Sequence, residues 1–146
     1  MNTFAKQHIY LSLRHKILNS TMDFLDNLFI IESITDTETG FTAKLRCNPA
    51  HPVYQAHFPG NPITPGACLL KTAGELLQQK LGRPLYLKSS KNIKYLSLLV
   101  PEAEKEVRFD FSNCTETEDG FKAQVVIADE ATVYTKMSLT YSYEPL

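Results

Sequence analysis

The sequence contains no tryptophan, only six glycines and only three cysteines among 146 residues. The cysteines, Cys47, Cys68 and Cys114, are odd in number and lack paired spacing, which argues against a disulfide framework or a zinc site. We therefore expect three buried thiols in a reducing compartment. An excess of one charge is also lacking, because the formal net charge is −1. No overall field would draw this chain to nucleic acid.

Long hydrophobic runs are absent as well. No apolar segment approaches the length of a membrane-spanning helix, and the first residues lack the apolar stretch of a signal peptide. We therefore expect a cytoplasmic protein with no membrane span. Apolar residues make up 43% and charged residues 21%, which is usual for a globular protein. The length predicts a single domain over residues 1–146, with residues 1–22 as an N-terminal helical extension.

Apolar periodicity predicts helices and strands in a definite order. Residues 3–18 carry a loose apolar stripe that indicates a helix, and Ser20 or Thr21 would cap a short second turn. Residues 28–35 and 41–47 have strand character, and the Asp-Thr-Glu-Thr-Gly segment between them is typical of a turn. These two runs are predicted to form a hairpin.

A long irregular stretch and a helix follow the hairpin. Residues 48–65 contain five prolines, so we expect no regular structure there and a functional loop. Thr64 is a suitable helix N-cap and Pro65 a suitable first helical residue. The helix is amphipathic and should end at Gly82 and Pro84. Its apolar arc comprises Leu69, Leu70, Ala73, Leu76, Leu77 and Leu81, and its polar arc comprises Lys71, Glu75, Gln78 and Gln79.

Four strand-like segments complete the chain, at residues 85–99, 106–113, 121–128 and 132–143. The first should bend near Ser89 and Ser90. Runs of strands with a single long helix among them indicate an α+β class rather than an alternating α/β fold. One apolar helix packed against one antiparallel sheet is the simplest way to bury both apolar faces.

The chemistry suggested by the residues centres on His57 and Gly66. His57 lies in the proline-rich stretch, where its ring can be held still, and Gly66 lies in the first turn of the predicted helix. Backbone N–H groups there lack intrahelical partners and favour a developing negative charge. A base beside such a helix start suits proton abstraction next to a carbonyl. The alternative is a histidine that only forms turn hydrogen bonds.

The segment His-Phe-Pro-Gly-Asn-Pro-Ile-Thr-Pro-Gly, residues 57–66, resembles the His-Phe-Pro-Gly-x-Pro-x-x-Pro-Gly signature of the FabZ/FabA 3-hydroxyacyl-[acyl-carrier-protein] dehydratases. Residues 93–101, which end in Val-Pro, resemble the later strand of that family. The resemblance implies a hotdog fold, in which an antiparallel sheet wraps one long central helix. It also implies edge-to-edge dimers with active sites shared across the interface.

The same resemblance implies roles for individual residues. His57 would remove the α-proton of a 3-hydroxyacyl thioester, and the Gly66 N–H would hold the thioester oxygen. Substrate contacts would come from Phe58, Pro65, Gly66 and Ala67. The catalytic acid of the family, Glu or Asp, lies fourteen residues after the histidine and comes from the partner subunit. Lys71 occupies that position here, and Ala56 replaces the glycine that commonly precedes the histidine.

Lys71 leaves alternatives open. A lysine has an ordinary pKa near 10.4, so acid–base work near neutral pH would need a strong depression of that pKa. Lys71 could act as the acid, or it could pair with Glu75 one turn along the helix. Glu75 is then either the partner of Lys71 or a displaced catalytic acid.

The resemblance also implies partners. From residue 78 to residue 100 the charged residues are all basic, Lys80, Arg83, Lys88, Lys91 and Lys94. This patch suits an acidic acyl carrier protein, although a solvated strand face would look the same. We expect no metal and no cofactor beyond the phosphopantetheine that carries the substrate. Three functions stay open: an active dehydratase of fatty acid or related acyl-chain biosynthesis, an impaired acyl-binding subunit paired with an active hotdog chain, and a hotdog thioesterase.

Overall fold

Six strands with alternating apolar residues form one antiparallel sheet in the computed structural model, which describes residues 24–56 and 60–146. The strands are β1 (Phe29–Asp36), β2 (Phe41–Cys47), β3 (Tyr86–Tyr95), β4 (Glu106–Glu116), β5 (Gly120–Ala128) and β6 (Val133–Ser142). Their order across the sheet is β1-β2-β4-β5-β6-β3. The edges are therefore β1 and β3, and the predicted hairpin of β1 and β2 is confirmed.

The described helices are α1 (Val53–Ala56) and the much longer α2 (Gly66–Leu81). The apolar arc of α2 packs into the core with the inward residues of the sheet, and Leu76 and Leu77 are fully buried. Phe109 of β4 and Ile127 of β5 belong to the same core. Burial of these faces against each other is the main driving force for this arrangement. The predicted α+β class is confirmed.

The C-terminal end of α2 is as predicted from the sequence, whereas its N-terminal end differs from the prediction. Gly82 adopts a left-handed conformation with φ 70° and donates its N–H to the Gln78 carbonyl at 2.8 Å, as predicted for a C-terminal glycine. At the start, Pro65 rather than Thr64 is the N-cap residue, and Gly66 is the first helical residue. Thr64 is buried and its hydroxyl is hydrogen-bonded to Tyr54, so it does not cap the helix.

The proline-rich stretch is not wholly irregular, which corrects the prediction for residues 48–65. One helical turn, α1, forms inside it, and the N–H groups of Gln55 and Ala56 donate to the Pro52 carbonyl. Proline is tolerated where a helix begins, because the N–H that it lacks would have no helical partner there. The prolines therefore limit helical structure in this stretch to one short turn but do not exclude it.

The predicted strand over residues 85–99 is shorter in the structure. Its pairing with β6 is irregular between Leu87 and Ser89, which confirms a bend, and again between Lys91 and Lys94. The strand ends at Tyr95, after which the N–H groups of Leu96 and Ser97 both donate to the Tyr134 carbonyl. Residues 1–23 lie outside the described residues, and so do the helix predicted over residues 3–18 and the cap at Ser20 or Thr21. Within residues 24–56 and 60–146, no helix is long and apolar enough to cross a membrane.

Candidate active site

The start of α2 lies beside the end of β3. The Thr64 N–H donates to the Leu99 carbonyl at 2.9 Å, which ties the entry of the helix to the segment after β3. A Cβ built on Gly66 would lie 2.6 Å from Cζ of Tyr95, so only glycine fits without displacing that ring. The Cys68 N–H already donates to the Pro65 carbonyl at 3.0 Å. The N–H groups of Gly66 and Ala67 come before it, where a helix has no carbonyl one turn earlier to bond, so they can stabilise an oxyanion. The predicted oxyanion-binding glycine is therefore at the start of a long helix, as expected.

His57 and Phe58 lie outside the described residues, so their roles as base and substrate contact stay predictions. The neighbouring residues are described: α1 ends at Ala56, and Gly60 has a positive φ of 81°. Such a φ favours glycine. Residues 57–59 therefore connect the end of α1 to a turn glycine in the approach to α2.

A buried tyrosine, which the sequence did not single out, braces this approach. The Tyr54 hydroxyl of α1 lies 2.9 Å from the Thr64 hydroxyl, and both side chains are buried. Burial raises the pKa of Tyr54 to about 12, with the hydrogen bond to Thr64 acting in the opposite direction. The phenol therefore stays protonated near neutral pH. No periodic signal marks Tyr54, because it lies in a stretch that is helical for only one turn.

Replacing Tyr54 with phenylalanine should destabilise the fold by about 1 kcal/mol, because the Thr64 hydroxyl would lose its buried partner. Urea unfolding at fixed protein concentration measures the change. Tyr86→Phe is a matched control, since Tyr86 is exposed on β3 and should change the free energy of unfolding little. Equal effects of the two substitutions would contradict a bracing role for Tyr54.

The polar arc of α2 is only partly exposed, which corrects the amphipathic pattern. Glu75 is only 2% exposed, and its Oε1 accepts hydrogen bonds from the N–H groups of Phe24 at 3.0 Å and Leu25 at 3.2 Å. Gln78 is 9% exposed, and its Oε1 accepts from the Leu85 N–H at 3.0 Å. Both side chains satisfy backbone donors of segments that cover the helix. A helical wheel does not show this, because it contains no information about which segment covers an arc.

Lys71 is exposed, and its Nζ lies 5.9 Å from the centre of the Phe24 ring. The Phe24 ring is in turn in edge contact with the ring of His51, with 6.0 Å between the centroids. The distance of 5.9 Å between Lys71 Nζ and the Phe24 ring is within reach of a cation–π contact. Lys71 therefore lies next to the backbone segment that Glu75 holds. The proposed pairing of Lys71 with Glu75, and a catalytic role for either residue, stay predictions.

A groove of about 390 Å³ runs along this side of α2, between the helix and the beginning of β3. It brings together three of the predicted site residues, Ala67, Lys71 and Glu75. Pro65 and Gly66 come directly before Ala67 in the chain. The full lining consists of Ala67, Leu70, Lys71, Gly74, Glu75, Gln78, Pro84, Leu85, Tyr86, Leu87 and Tyr141. A mostly apolar groove that begins at a helix N-terminus can accommodate an acyl chain with its carbonyl group at the helix start.

Comparison with known proteins agrees with this geometry. The model of the ApeI-like family, described as ApeI dehydratase, matches residues 33–136. No curated protein matches the chain.

Several solved structures share the fold at low sequence identity. One is the dehydratase heterocomplex ApeI:P from Xenorhabdus doucetiae, at 14% identity and a TM-score of 0.63, covering 78% of this chain and 97% of that one. A hypothetical thioesterase protein with coenzyme A from Streptococcus pneumoniae has 16% identity, a TM-score of 0.61, and coverage of 88% and 95%. Cj0977, a sigma28-regulated virulence protein from Campylobacter jejuni, has 11% identity, a TM-score of 0.62, and coverage of 92% and 97%.

These likenesses confirm the hotdog fold and, at the level of hotdog-type dehydratases, the resemblance carried by residues 57–66. They do not single out FabZ or FabA. Because the family match spans most of the sequence and the fold agrees, the chain belongs to the ApeI-like dehydratase family.

Proposed function

We propose that this chain dehydrates 3-hydroxyacyl thioesters of acyl carrier protein to trans-2-enoyl thioesters. The observation that carries the proposal is the start of α2, where Gly66 opens a long helix at the beginning of the Lys71-lined groove. The family match supports the same class of reaction. Among the described residues, the groove offers space for the acyl chain beside groups suited to the thioester.

In the proposed reaction, His57 takes a proton from C2 of the substrate. The negative charge that develops on the thioester oxygen is stabilised by the N–H of Gly66 and by the helix dipole. The C2 electron pair then forms the C2–C3 double bond, and the C3–O bond breaks. The leaving hydroxyl takes up a proton and departs as water. No redox step and no metal are needed to balance this elimination.

Lys71 occupies the position from which the leaving hydroxyl would receive its proton. An ammonium group can donate a proton, but its ordinary pKa near 10.4 makes it a weak acid at neutral pH. Glu75 is poorly suited to replace it, because its carboxylate already accepts two backbone N–H groups. The proposal therefore assigns proton delivery to Lys71 or to water that it orients.

Edge-to-edge pairing of β3 would complete the site in a dimer. β3 is a sheet edge and exposes Tyr86, Leu87 and Tyr95, and Leu96 and Leu98 extend the exposed apolar surface. An edge strand with apolar side chains is suited to pair with another chain. The partner in the proposal is a second copy or a related hotdog chain. The existence of a heterocomplex for the X. doucetiae dehydratase favours testing both.

Three of the five basic residues predicted to face a carrier protein are exposed on β3, and the other two have contacts within the chain. Lys80 pairs with Asp36, and the Arg83 guanidinium stacks 3.4 Å above the Tyr143 ring, so both have contacts of their own. Lys88, Lys91 and Lys94 are exposed on β3, and Lys94 pairs in register with Lys136 of β6. Like charges placed opposite one another favour an acidic partner. This surface supports an acyl carrier protein as the substrate carrier.

An impaired acyl-binding subunit is the second candidate, and the observation that favours it is Lys71 in place of a carboxylic acid. Such a subunit would bind acyl thioesters and pair with a related hotdog chain that supplies the carboxylate. A thioesterase is the third candidate. It has the weakest support, because similar solved structures of thioesterases, such as the one from S. pneumoniae, have low sequence identity and show the fold alone.

The experiment that tests the proposal incubates the full chain with a 3-hydroxyacyl carrier-protein thioester. Formation of the enoyl thioester is followed by its absorbance and free thiol by a thiol reagent. We expect enoyl thioester to accumulate without thiol release. Thiol release would instead support the thioesterase. Turnover that appears only when a related hotdog chain is added would support the impaired subunit.

A further inference from the structure

The hydroxyl of Tyr141 is a polar group that faces the groove beside α2. Tyr141 lies on β6 and is only 4% exposed, yet it lines the groove beside α2. Within residues 24–56 and 60–146, the buried side-chain oxygen that lacks a hydrogen-bond partner is Thr135 Oγ1, so the Tyr141 hydroxyl stays accessible to water in the groove. Burial raises the pKa of Tyr141, so the phenol is a proton donor over the physiological range. A ligand that fills the groove would remove this hydroxyl from water, so it binds best if it offers the hydroxyl a hydrogen-bond partner.

Gly74 gives this hydroxyl access to the groove. The Tyr141 hydroxyl lies 3.3 Å from the position that a Cβ on Gly74 would occupy, so a side chain there would crowd it. Gln78, one turn further along α2, lines the same region, and its Oε1 is used by the Leu85 N–H. The side-chain amide N–H groups of Gln78 therefore remain as further donors. The end of the groove that is furthest from Gly66 is therefore polar, because the Tyr141 and Gln78 side chains line it.

The position of this polar end relative to Gly66 follows from helix geometry. At 1.5 Å rise per residue, Gly74 lies about 12 Å along α2 from Gly66. The groove connects the two regions through Ala67, Leu70 and Lys71. A chain whose thioester lies at Gly66 would therefore run past Lys71 and reach Tyr141 with its distal part.

We propose that Tyr141 is a specificity-determining residue that selects acyl chains with a hydrogen-bond acceptor, such as a hydroxyl or carbonyl oxygen, at their distal end. This inference rests on the proposed function, because it takes the groove as the acyl site. A plain alkyl chain would fill the groove and displace water from the phenol without giving it a new partner, which costs free energy. Tyr141 does not touch the reacting atoms, so it governs which chain binds rather than the chemistry.

The test uses two saturated acyl-pantetheine thioesters of equal length, long enough to span about 12 Å. One ends in a methyl group and the other in a hydroxyl group. Both lack a 3-hydroxyl, so neither can be dehydrated and binding is measured apart from turnover. Titration calorimetry should show tighter binding of the hydroxyl-ended ligand. In Tyr141→Phe its affinity should fall roughly 2- to 12-fold, while the methyl-ended ligand binds as well as before or better.

Several outcomes would overturn the inference. These are equal affinity for the two ligands in the unmodified chain, equal losses in Tyr141→Phe, or no binding of either. A change in self-association without a change in ligand affinity would mean that a second chain fills the groove. If Tyr141→Phe does not fold, Gly74→Ala should abolish the preference by crowding the hydroxyl. If the chain binds the hydroxyl-ended ligand more tightly but does not dehydrate a 3-hydroxyacyl thioester, the proposed reaction is contradicted and the role of Tyr141 is kept.

Discussion

Replacing His57 with alanine should lower kcat/KM for dehydration of a 3-hydroxyacyl carrier-protein thioester by roughly 10²- to 10⁴-fold. The imidazole is the proposed base for the C2 proton, and alanine offers no group to accept it. Binding of a saturated acyl thioester should change little, because Gly66 and the groove are kept. Steady-state kinetics measures the first quantity and calorimetry the second. A loss of binding equal to the loss of rate would indicate that His57 only shapes the loop.

His51→Ala is the matched control for this substitution. His51 lies in the same proline-rich stretch, but its Nδ1 accepts the Val53 N–H at 3.0 Å and its ring contacts Phe24. Its loss should reduce stability and leave kcat/KM far closer to that of the unmodified chain. Lys71→Glu separates the two leading functions. Turnover that is absent in the unmodified chain and appears in this variant would favour the impaired subunit over the active enzyme.

Much of the fold could be predicted because local patterns and the tertiary structure agree. The alternation of Phe41, Ala43 and Leu45 buries one face of β2, and the structure buries those same residues. The apolar stripe of α2 is buried for the same reason, and Gly82 ends the helix where a left-handed residue is needed. These features depend on period and on backbone sterics, both of which a single sequence contains.

The candidate site could be predicted only where a fixed motif marks it. The motif located Gly66 and Lys71, and it located His57 as a residue to test. It did not reveal that the Tyr54 hydroxyl braces the approach to α2, or that Tyr141 reaches the groove through the space at Gly74. Those contacts join residues distant in sequence. They depend on how β6 and α1 lie against α2, which no period or spacing encodes.

Glu75 is another residue whose contacts could not be predicted from the sequence. The sequence presents it as a polar residue one turn after Lys71, suited to a salt bridge or to acid catalysis. The structure buries it and gives its carboxylate the N–H groups of Phe24 and Leu25, about fifty residues away in the chain. The carboxylate therefore fixes the segment whose Phe24 ring lies beside Lys71. Its main contribution should be to the stability of that arrangement.

Replacing Glu75 with alanine should lower the free energy of unfolding by about 3 kcal/mol, because hydrogen bonds to a charged group are lost and the buried Leu25 N–H is left unpaired. Urea unfolding at fixed protein concentration measures the change, so that self-association does not alter the result. Gln79→Ala makes a similar change in helix propensity on the same helix and should cost far less.

Glu75→Gln distinguishes this anchoring role from acid catalysis. Its side-chain oxygen can still accept the Phe24 and Leu25 N–H groups, which both donate to Oε1 of Glu75, and only the longer contact of the Phe24 N–H with Oε2, at 3.3 Å, is lost. The amide cannot donate an acidic proton. If Glu75 is an anchor, Glu75→Gln should recover most of the lost stability and keep kcat close to that of the unmodified chain. If it is a displaced acid, stability should be kept while kcat falls by roughly 10²-fold or more. We expect the first result, because the Glu75 carboxylate is already held by the N–H groups of Phe24 and Leu25.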